Sequence, residues 1–159
     1  MAGNLRMAAV NDRIALVLFI ALVVVGGGAI GLLTAPGEWY AALAKPAFNP
    51  PNWVFAPVWL TLYAMIGVAG WRVWRREHGG STLVLWWVQL ALNFLWSPIF
   101  FAAQNAGLAL AVIAAMWLAI AAFIGLAWRL DRPAAWLFVP YLAWVSFATL
   151  LNASIWWLN

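Results

Sequence analysis

Three carboxamide side chains interrupt apolar stretches of this sequence, and each can both donate and accept hydrogen bonds. Gln89 and Asn93 are four residues apart, so a helix places them one turn apart on the same face. Asn152 interrupts a second apolar stretch in the same way. An amide that faced lipid would have no hydrogen-bond partner, so these side chains face protein or a cavity. They predict either interhelical hydrogen bonds or polar contacts to a bound ligand.

Tryptophan is unusually abundant, with 14 in 159 residues. Amphipathic indole rings are favoured at the two surfaces of a membrane, which explains tryptophans near the ends of apolar stretches. That group comprises Trp71, Trp74, Trp128, Trp136, Trp156 and Trp157. Trp59, Trp96, Trp117 and Trp144 lie deeper. There, a flat ring with one N–H donor either packs against lipid and core or stacks on a planar ligand.

Residues that usually carry catalysis or ligate metals are scarce. The chain has no cysteine, and its one histidine, His78, lies in a charged segment beside Gly79, as a solvated turn residue would. Glu38 and Asp131 each lack a second carboxylate nearby in the sequence, which disfavours a paired-carboxylate mechanism. The long apolar stretches contain no Asp, Glu, Lys, Arg or His, which disfavours an ion-coupled pump. We expect a binding protein rather than an enzyme, with no metal and no cofactor.

The composition excludes a water-soluble domain, because 68% of the residues are hydrophobic and only 8% are charged. Apolar runs of about 20 residues match the thickness of a hydrocarbon core. We predict five spans, at residues 14–33, 53–71, 82–101, 107–128 and 134–157. Residues 1–159 then form one domain, an all-α membrane protein built as a five-transmembrane-helix bundle. The net charge of +4 comes from basic residues that flank the spans, so it indicates membrane topology rather than nucleic-acid binding.

The segment between the first two spans, residues 34–52, combines four prolines with Trp39, Tyr40 and Phe48. Proline restricts the backbone, and exposed aromatic rings favour contact with an apolar surface. This composition predicts an ordered loop packed on the bundle rather than a flexible linker.

Basic residues are distributed unevenly between the two ends of the predicted bundle. In a five-span protein the N-terminal segment and the second and fourth connections share one side, opposite the first loop with Lys45. The shared side carries Arg6, Arg13, Arg72, Arg75, Arg76, Arg129 and Arg132. Short connections rich in Lys and Arg remain in the cytoplasm. The sequence therefore predicts a cytoplasmic N-terminus and an outer C-terminus.

Three segments carry motifs. The first joins the Trp-Tyr pair at 39–40 to KPAFNPPNWVFAPVWLTLY at 45–63. The second is QLALNFLWSPIFF at 89–101, and the third is PYLAWVSFATLLN at 140–152. In order and spacing they resemble the translocator protein family, also called tryptophan-rich sensory proteins or TspO. The resemblance covers nearly the whole chain and implies a five-helix bundle whose first loop folds over one end of a central cavity.

The resemblance implies that the cavity binds porphyrins, and in some members sterols or benzodiazepine-type drugs. Carried over by motif, its lining comprises Trp39, Pro51, Phe55, Trp59, Tyr63, Asn93, Trp96, Trp144, Ala148 and Leu151. The rings would form planar walls, while the Asn93 amide and the Trp59 N–H would orient polar ligand atoms. Phe48 stands where many members have tryptophan, so the loop lacks one indole N–H here.

The resemblance also implies partners and a function. Family members form dimers, and Gly27 and Gly31 have the small-xxx-small spacing that lets helices approach closely, so we predict a homodimer at this face. The favoured function is a membrane receptor for tetrapyrroles, linked to transport, sensing or regulation and in contact with membrane lipid. One alternative is light- and oxygen-dependent porphyrin breakdown, which radicals at Trp59 and Trp144 would support. A second alternative is a scaffold for partner membrane proteins.

Overall fold

The computed structural model describes residues 2–159, with side chains from residue 10 onward. Its helices are α1 (Ala2–Leu33), α2 (Glu38–Ala42), α3 (Phe55–Arg76), α4 (Ser81–Ser97), α5 (Ala106–Leu130) and α6 (Arg132–Leu158). A 3-10 turn at Asn52–Val54 precedes α3, and a π-helical turn at Pro98–Ala102 continues α4. Five of these helices are long and apolar enough to cross a membrane, and residues 2–159 contain no strand. The predicted all-α five-helix bundle is confirmed.

Two helix ends differ clearly from the predicted spans. Helix α1 begins at Ala2 rather than at residue 14, and α3 continues to Arg76 rather than ending at residue 71. The residues of α3 beyond the predicted end include Arg72, Arg75 and Arg76, which we had expected in a turn. Arginine is a good helix former, and a cation in the last turn interacts favourably with the negative end of the helix dipole. The arginines are therefore arranged on a helix surface instead of in a turn.

The spanning helices close into a ring. Helix α3 packs between α1 and α6, α5 packs between α6 and α4, and α4 also contacts α1. Glycine permits the closest approaches: a β-carbon at Gly67 on α3 would lie 2.7 Å from the Ile20 Cα on α1. Gly70 leaves space for the fully buried Trp86, whose Nε1 donates to the Ile66 carbonyl oxygen at 2.9 Å. These contacts fix α1 and α4 against α3.

The loop between α1 and α3 lies across one end of the bundle, as an ordered loop should. Its Ala44 amide donates to the Asn159 Oδ1 at 3.0 Å, and the Asn159 Nδ2 donates back to the Ala44 carbonyl at 3.1 Å. The Phe48 ring lies 6.3 Å, between centroids, from Phe147 on α6. The loop is thereby tied to the far end of the chain.

Candidate functional site

Aromatic side chains from two neighbouring helices pack in two groups, Phe55 with Trp144 and Trp59 with Tyr63 and Tyr141, which we together call the α3–α6 wall. Phe55, Trp59 and Tyr63 follow one another at four-residue spacing, so they share one face of α3. The centroid of the Trp59 ring lies 5.3 Å from that of Tyr63 and 6.3 Å from that of Tyr141 on α6. Trp59 is only half-buried, and its N–H has no hydrogen bond among the residues that the structure describes.

A hydrogen-bonded chain supports this wall from behind. The Tyr63 hydroxyl donates to the Asn93 Oδ1 at 3.4 Å, and the Asn93 Nδ2 donates to the Tyr141 oxygen at 2.9 Å. The Tyr141 hydroxyl in turn contacts the Met116 sulfur at 3.4 Å. Asn93 is only 6% exposed. Its amide therefore joins α3 to α6 through two tyrosines, and it positions the rings on which Trp59 rests.

Trp144 forms the other half of the wall. Its ring lies 5.8 Å from Phe55 on α3 and 5.6 Å from Phe147, which the loop residue Phe48 touches in turn. The Trp144 Nε1 is shielded from solvent and has no hydrogen-bond partner among residues 10–159. A buried donor without an acceptor costs about 1–3 kcal/mol. Such an atom is expected where an absent group, such as a ligand oxygen or a water molecule, supplies the acceptor.

A second group of rings, the Trp96 cluster, lies beneath the loop and consists of Trp39, Tyr40, Trp96, Phe100 and Phe101. Trp96 is stacked on Phe100 with centroids 5.1 Å apart, and Trp39 and Tyr40 approach Phe100 edge-on. Burial raises the pKa of Tyr40 above its ordinary value, and the hydrogen bond to Asn49 opposes that rise only in part. The cluster is the apolar surface that the loop aromatics require.

All the polar atoms at the centre of the Trp96 cluster are paired. The Trp96 Nε1 donates to the Asn152 Oδ1 at 3.0 Å, and the Asn152 Nδ2 donates to the Ala106 carbonyl at 2.8 Å. Asn152 therefore links α4, α5 and α6. This is the interhelical role considered for the amides from the sequence.

The ten predicted lining residues are distributed between these two groups and their surroundings. The α3–α6 wall contains Phe55, Trp59, Tyr63 and Trp144, with Asn93 behind it, whereas Trp39 and Trp96 belong to the Trp96 cluster. Ala148 and Leu151 are buried on α6, 9% and 6% exposed, and Pro51 is exposed at the start of the 3-10 turn. Trp39 also borders a surface pocket of about 380 Å³ formed with Gln104 and Asn105. The motif-based set therefore comprises two aromatic neighbourhoods.

Gln89 carries the second unpaired polar atom. Its Nε2 donates to the Trp86 carbonyl at 2.9 Å, but its Oε1 has no partner although the side chain is fully buried. Gln89 lies one turn before Asn93 on α4, as the sequence spacing predicts. A donor from a water molecule or a ligand would satisfy this oxygen.

The glycines proposed for the dimer interface have different surroundings. Gly27 is buried, and a β-carbon there would lie within 2.3 Å of the Tyr63 ring of the same chain. Its small size is thus needed inside the bundle, where a second copy cannot reach it. Gly31 is exposed with open space around it, so a dimer contact on α1 remains a prediction for Gly31 alone.

Trp71, which its position near the end of a span predicts to be interfacial, is also hydrogen-bonded to a neighbouring helix. Its Nε1 donates to the Asp12 Oδ1 at 3.0 Å, and the Arg75 guanidinium lies 4.8 Å from its ring centroid. Trp71 therefore joins α3 to α1, and Arg75 strengthens the same connection with a 3.1 Å ion pair to Asp12. Its removal would disturb helix packing as well as the interface.

Tyr141 and Phe147 are the site residues that the sequence reasoning did not select. Both lie in the third motif segment, and Tyr141 precedes Trp144 by three residues, so the two share one face of α6. That spacing was a usable signal for Tyr141. Phe147 belongs to the site because it contacts Phe48 in the loop, and the sequence of α6 alone does not predict that contact.

The wall is suited to binding rather than to acid–base chemistry. Its five residues offer flat rings, tyrosine hydroxyls and two indole N–H donors, with no carboxylate, imidazole or amine. A planar ligand would stack on the rings and accept a hydrogen bond from Trp144 or Trp59.

Comparison with known proteins agrees with the three motif segments. The sequence pattern of the TspO/MBR family matches residues 19–158. The chain is 46% identical to a tryptophan-rich sensory protein from Cereibacter sphaeroides over 122 residues, which cover 77% of each protein. It is 40% identical to protein CrtK from Rhodobacter capsulatus over 136 residues, 83% of this chain and 85% of that protein. A translocator protein from Ovis aries is 42% identical over 139 residues, 82% of each.

Proposed function

Because the chain belongs to the TspO/MBR family, we propose that it is a multi-pass membrane receptor that binds a tetrapyrrole, such as a porphyrin, on the α3–α6 wall. Sensing or transport-linked regulation would follow from that binding. The names of two relatives, a tryptophan-rich sensory protein and a translocator protein, agree with such a role.

The observation that carries this proposal is the unpaired Trp144 N–H at the wall. Phe55 supplies ring surface beside it, and Trp59 lies against Tyr63 and Tyr141, which Asn93 holds in place. A porphyrin offers a large planar surface for these rings and carboxylate oxygens that would accept the N–H hydrogen bond. A scaffold for partner proteins would need no such shielded donor.

Protoporphyrin mixed with the purified protein tests the proposal. We expect saturable quenching of tryptophan fluorescence, with the pigment recovered unchanged after incubation in darkness and in light. A new pigment that forms only in light and oxygen would favour porphyrin breakdown, since Trp59 lies against Tyr63 and Tyr141, which are also oxidisable. Absence of quenching would contradict tetrapyrrole binding and favour a scaffold.

We also propose that the arginine-rich end of the bundle is cytoplasmic, from the positive-inside rule. The chain has no cysteine, so single cysteines report accessibility without background. On intact cells, a membrane-impermeant thiol reagent should modify Asn159→Cys but not His78→Cys. The reverse labelling pattern would show that the orientation is wrong.

The proposed homodimer is tested at Gly31, because Gly27 is needed within the chain. Replacing Gly31 by leucine should raise the monomer fraction in detergent, since a bulky side chain prevents close approach of two α1 helices. Ala29→Leu is the control on the same helix, because Ala29 is also exposed but, two residues from Gly31, lies on a different face. An equal distribution of oligomers in the parent, Gly31→Leu and Ala29→Leu would exclude the Gly31 face of α1.

A further inference from the structure

The arginines at one end of the bundle divide into those with a carboxylate partner and those without. Arg75 pairs with Asp12, and Arg72 and Arg76 both pair with Asp131, at N–O distances of 2.8 and 3.3 Å. These three arginines share two carboxylates, so each has an ion-pair partner although one positive charge remains, and the pairs hold α3 against α1 and the α5–α6 connection.

Asp131 is fully engaged in that role. Burial alone would raise its pKa, but hydrogen bonds from Arg72, the Ala134 amide and Arg76 hold the pKa below its ordinary value. The carboxylate is therefore ionised at neutral pH, and its side chain is only 2% exposed. It has no remaining capacity to neutralise the arginines that flank it in sequence.

Arg129 and Arg132 are those flanking arginines, one at the end of α5 and one at the start of α6. Both are exposed, and neither has a carboxylate within salt-bridge distance in the described part of the chain. Two uncompensated positive charges are thus held three residues apart around a fixed turn.

Two tryptophans adjoin these arginines on the outer surface of the bundle. Trp128 directly precedes Arg129, and Trp136 lies one helical turn after Arg132 on the same face of α6. The Trp128 and Trp136 rings contact each other with centroids 5.4 Å apart, and they are 41% and 60% exposed. An exposed indole pair at this level suits the boundary between acyl chains and head groups.

We propose that Arg129 and Arg132, together with Trp128 and Trp136, form a binding site for an anionic phospholipid. The two guanidinium groups bind the lipid phosphate and the anionic head group, and the indole rings pack on the glycerol and the first acyl carbons. The charge of the site selects anionic over zwitterionic lipid. The site is independent of the proposed tetrapyrrole wall.

Native mass spectrometry of the full-length protein, titrated with phosphatidylglycerol or with phosphatidylcholine of identical acyl chains, tests this site. We expect tighter binding of phosphatidylglycerol, and roughly tenfold to thirtyfold weaker binding of that lipid in the Arg129→Gln Arg132→Gln double variant. Phosphatidylcholine binding should be unchanged. Arg129→Lys Arg132→Lys, which keeps both charges, should retain most of the preference.

The matched control is Arg13→Gln, which removes one exposed charge from the same end of the bundle and is compared with the single variants Arg129→Gln and Arg132→Gln. Arg13→Gln should leave phosphatidylglycerol binding within about twofold of the parent, whereas each single variant at the site should weaken it about fivefold. An equal loss in all three single variants would mean diffuse attraction to the basic end and would overturn the site. Unchanged binding in Arg129→Gln Arg132→Gln would overturn it as well. Circular dichroism and protoporphyrin binding of each variant confirm that the bundle is intact.

Discussion

Trp96 and Trp144 both lie inside membrane-spanning helices, but their hydrogen bonding differs. The Trp96 N–H donates to Asn152, whose amide donates to the Ala106 carbonyl. The Trp144 N–H is shielded from solvent and has no acceptor among residues 10–159. The same residue type thus connects helices in one cluster and has an unpaired N–H in the other.

The difference predicts which tryptophans are structural and which would contact a ligand. A buried donor whose acceptor comes from another helix contributes to holding the bundle together. A buried donor without an acceptor lowers the stability of the unliganded protein and gains a partner only when one is supplied. We therefore expect changes in the Trp96 cluster to affect mainly the stability of the fold, and changes in the α3–α6 wall to affect mainly ligand affinity.

Trp96→Ala should have the largest effect on stability. It removes the ring stacked on Phe100 and leaves the Asn152 oxygen without its donor, and such changes in a packed core cost about 3 kcal/mol or more. Unfolding monitored by circular dichroism in detergent measures the loss. Trp157→Ala is the control for tryptophan removal, because Trp157 is 85% exposed. If Trp96→Ala is as stable as that control, the cluster is not structural.

Trp59→Ala should have the largest effect on affinity. The substitution removes a half-buried ring in contact with Tyr63 and Tyr141, and we expect protoporphyrin to bind roughly tenfold more weakly or worse, since each 1.4 kcal/mol is a factor of ten. Fluorescence titration in nanodiscs measures this, with Trp157→Ala again as the control for tryptophan removal. Affinity in Trp59→Ala that equals the control would place the porphyrin elsewhere.

The fold was predictable from the sequence because the length of each apolar run determines a membrane span. The end of α3 was not, since Arg72 and Arg76 are stabilised on the helix by Asp131, which lies 59 and 55 residues further along the chain. A local pattern of charges resembles a turn, whereas the partner that keeps those charges on a helix is visible only in three dimensions.

The candidate site was predictable as a set of residues but not as a set of contacts. The motifs selected Trp96 and Trp144 alike. The local sequence does not show that the Trp96 N–H is bonded to Asn152, 56 residues away. Nor does it show that the Trp144 N–H has no acceptor among the described residues. Likewise Gly27 matched a pattern for association between two helices, but the Tyr63 ring of the same chain packs against it and leaves no room for a second chain. Hydrogen-bond satisfaction is a property of the packed bundle.

Trp96→Phe tests the hydrogen-bond part of the comparison with a smaller change. The ring stacking on Phe100 is largely kept, while the N–H donated to Asn152 is lost. An interhelical hydrogen bond in a membrane protein contributes about 0.6 kcal/mol on average and up to about 1.7 kcal/mol, so we expect a loss of roughly 1 kcal/mol in the free energy of unfolding. Protoporphyrin affinity should stay within about twofold of the parent. A large loss of affinity would place Trp96 in the ligand site.

Trp144→Phe should have the smallest effect on stability. Comparing it with Trp96→Phe tests directly whether the two N–H groups have different roles. The substitution removes a buried N–H that has no acceptor among the described residues, which stabilises the protein, but it also reduces the packed area of the ring, which destabilises it. These two effects oppose each other, so the free energy of unfolding without ligand should change by less than about 1 kcal/mol. Affinity for protoporphyrin should nevertheless fall about three- to tenfold, because one hydrogen bond to the ligand is lost. Both quantities are measured on the same preparations by unfolding and by fluorescence titration. If Trp144→Phe loses stability as Trp96→Phe does and keeps its affinity, the Trp144 N–H has a structural acceptor, such as a bound water molecule, and does not contact the ligand.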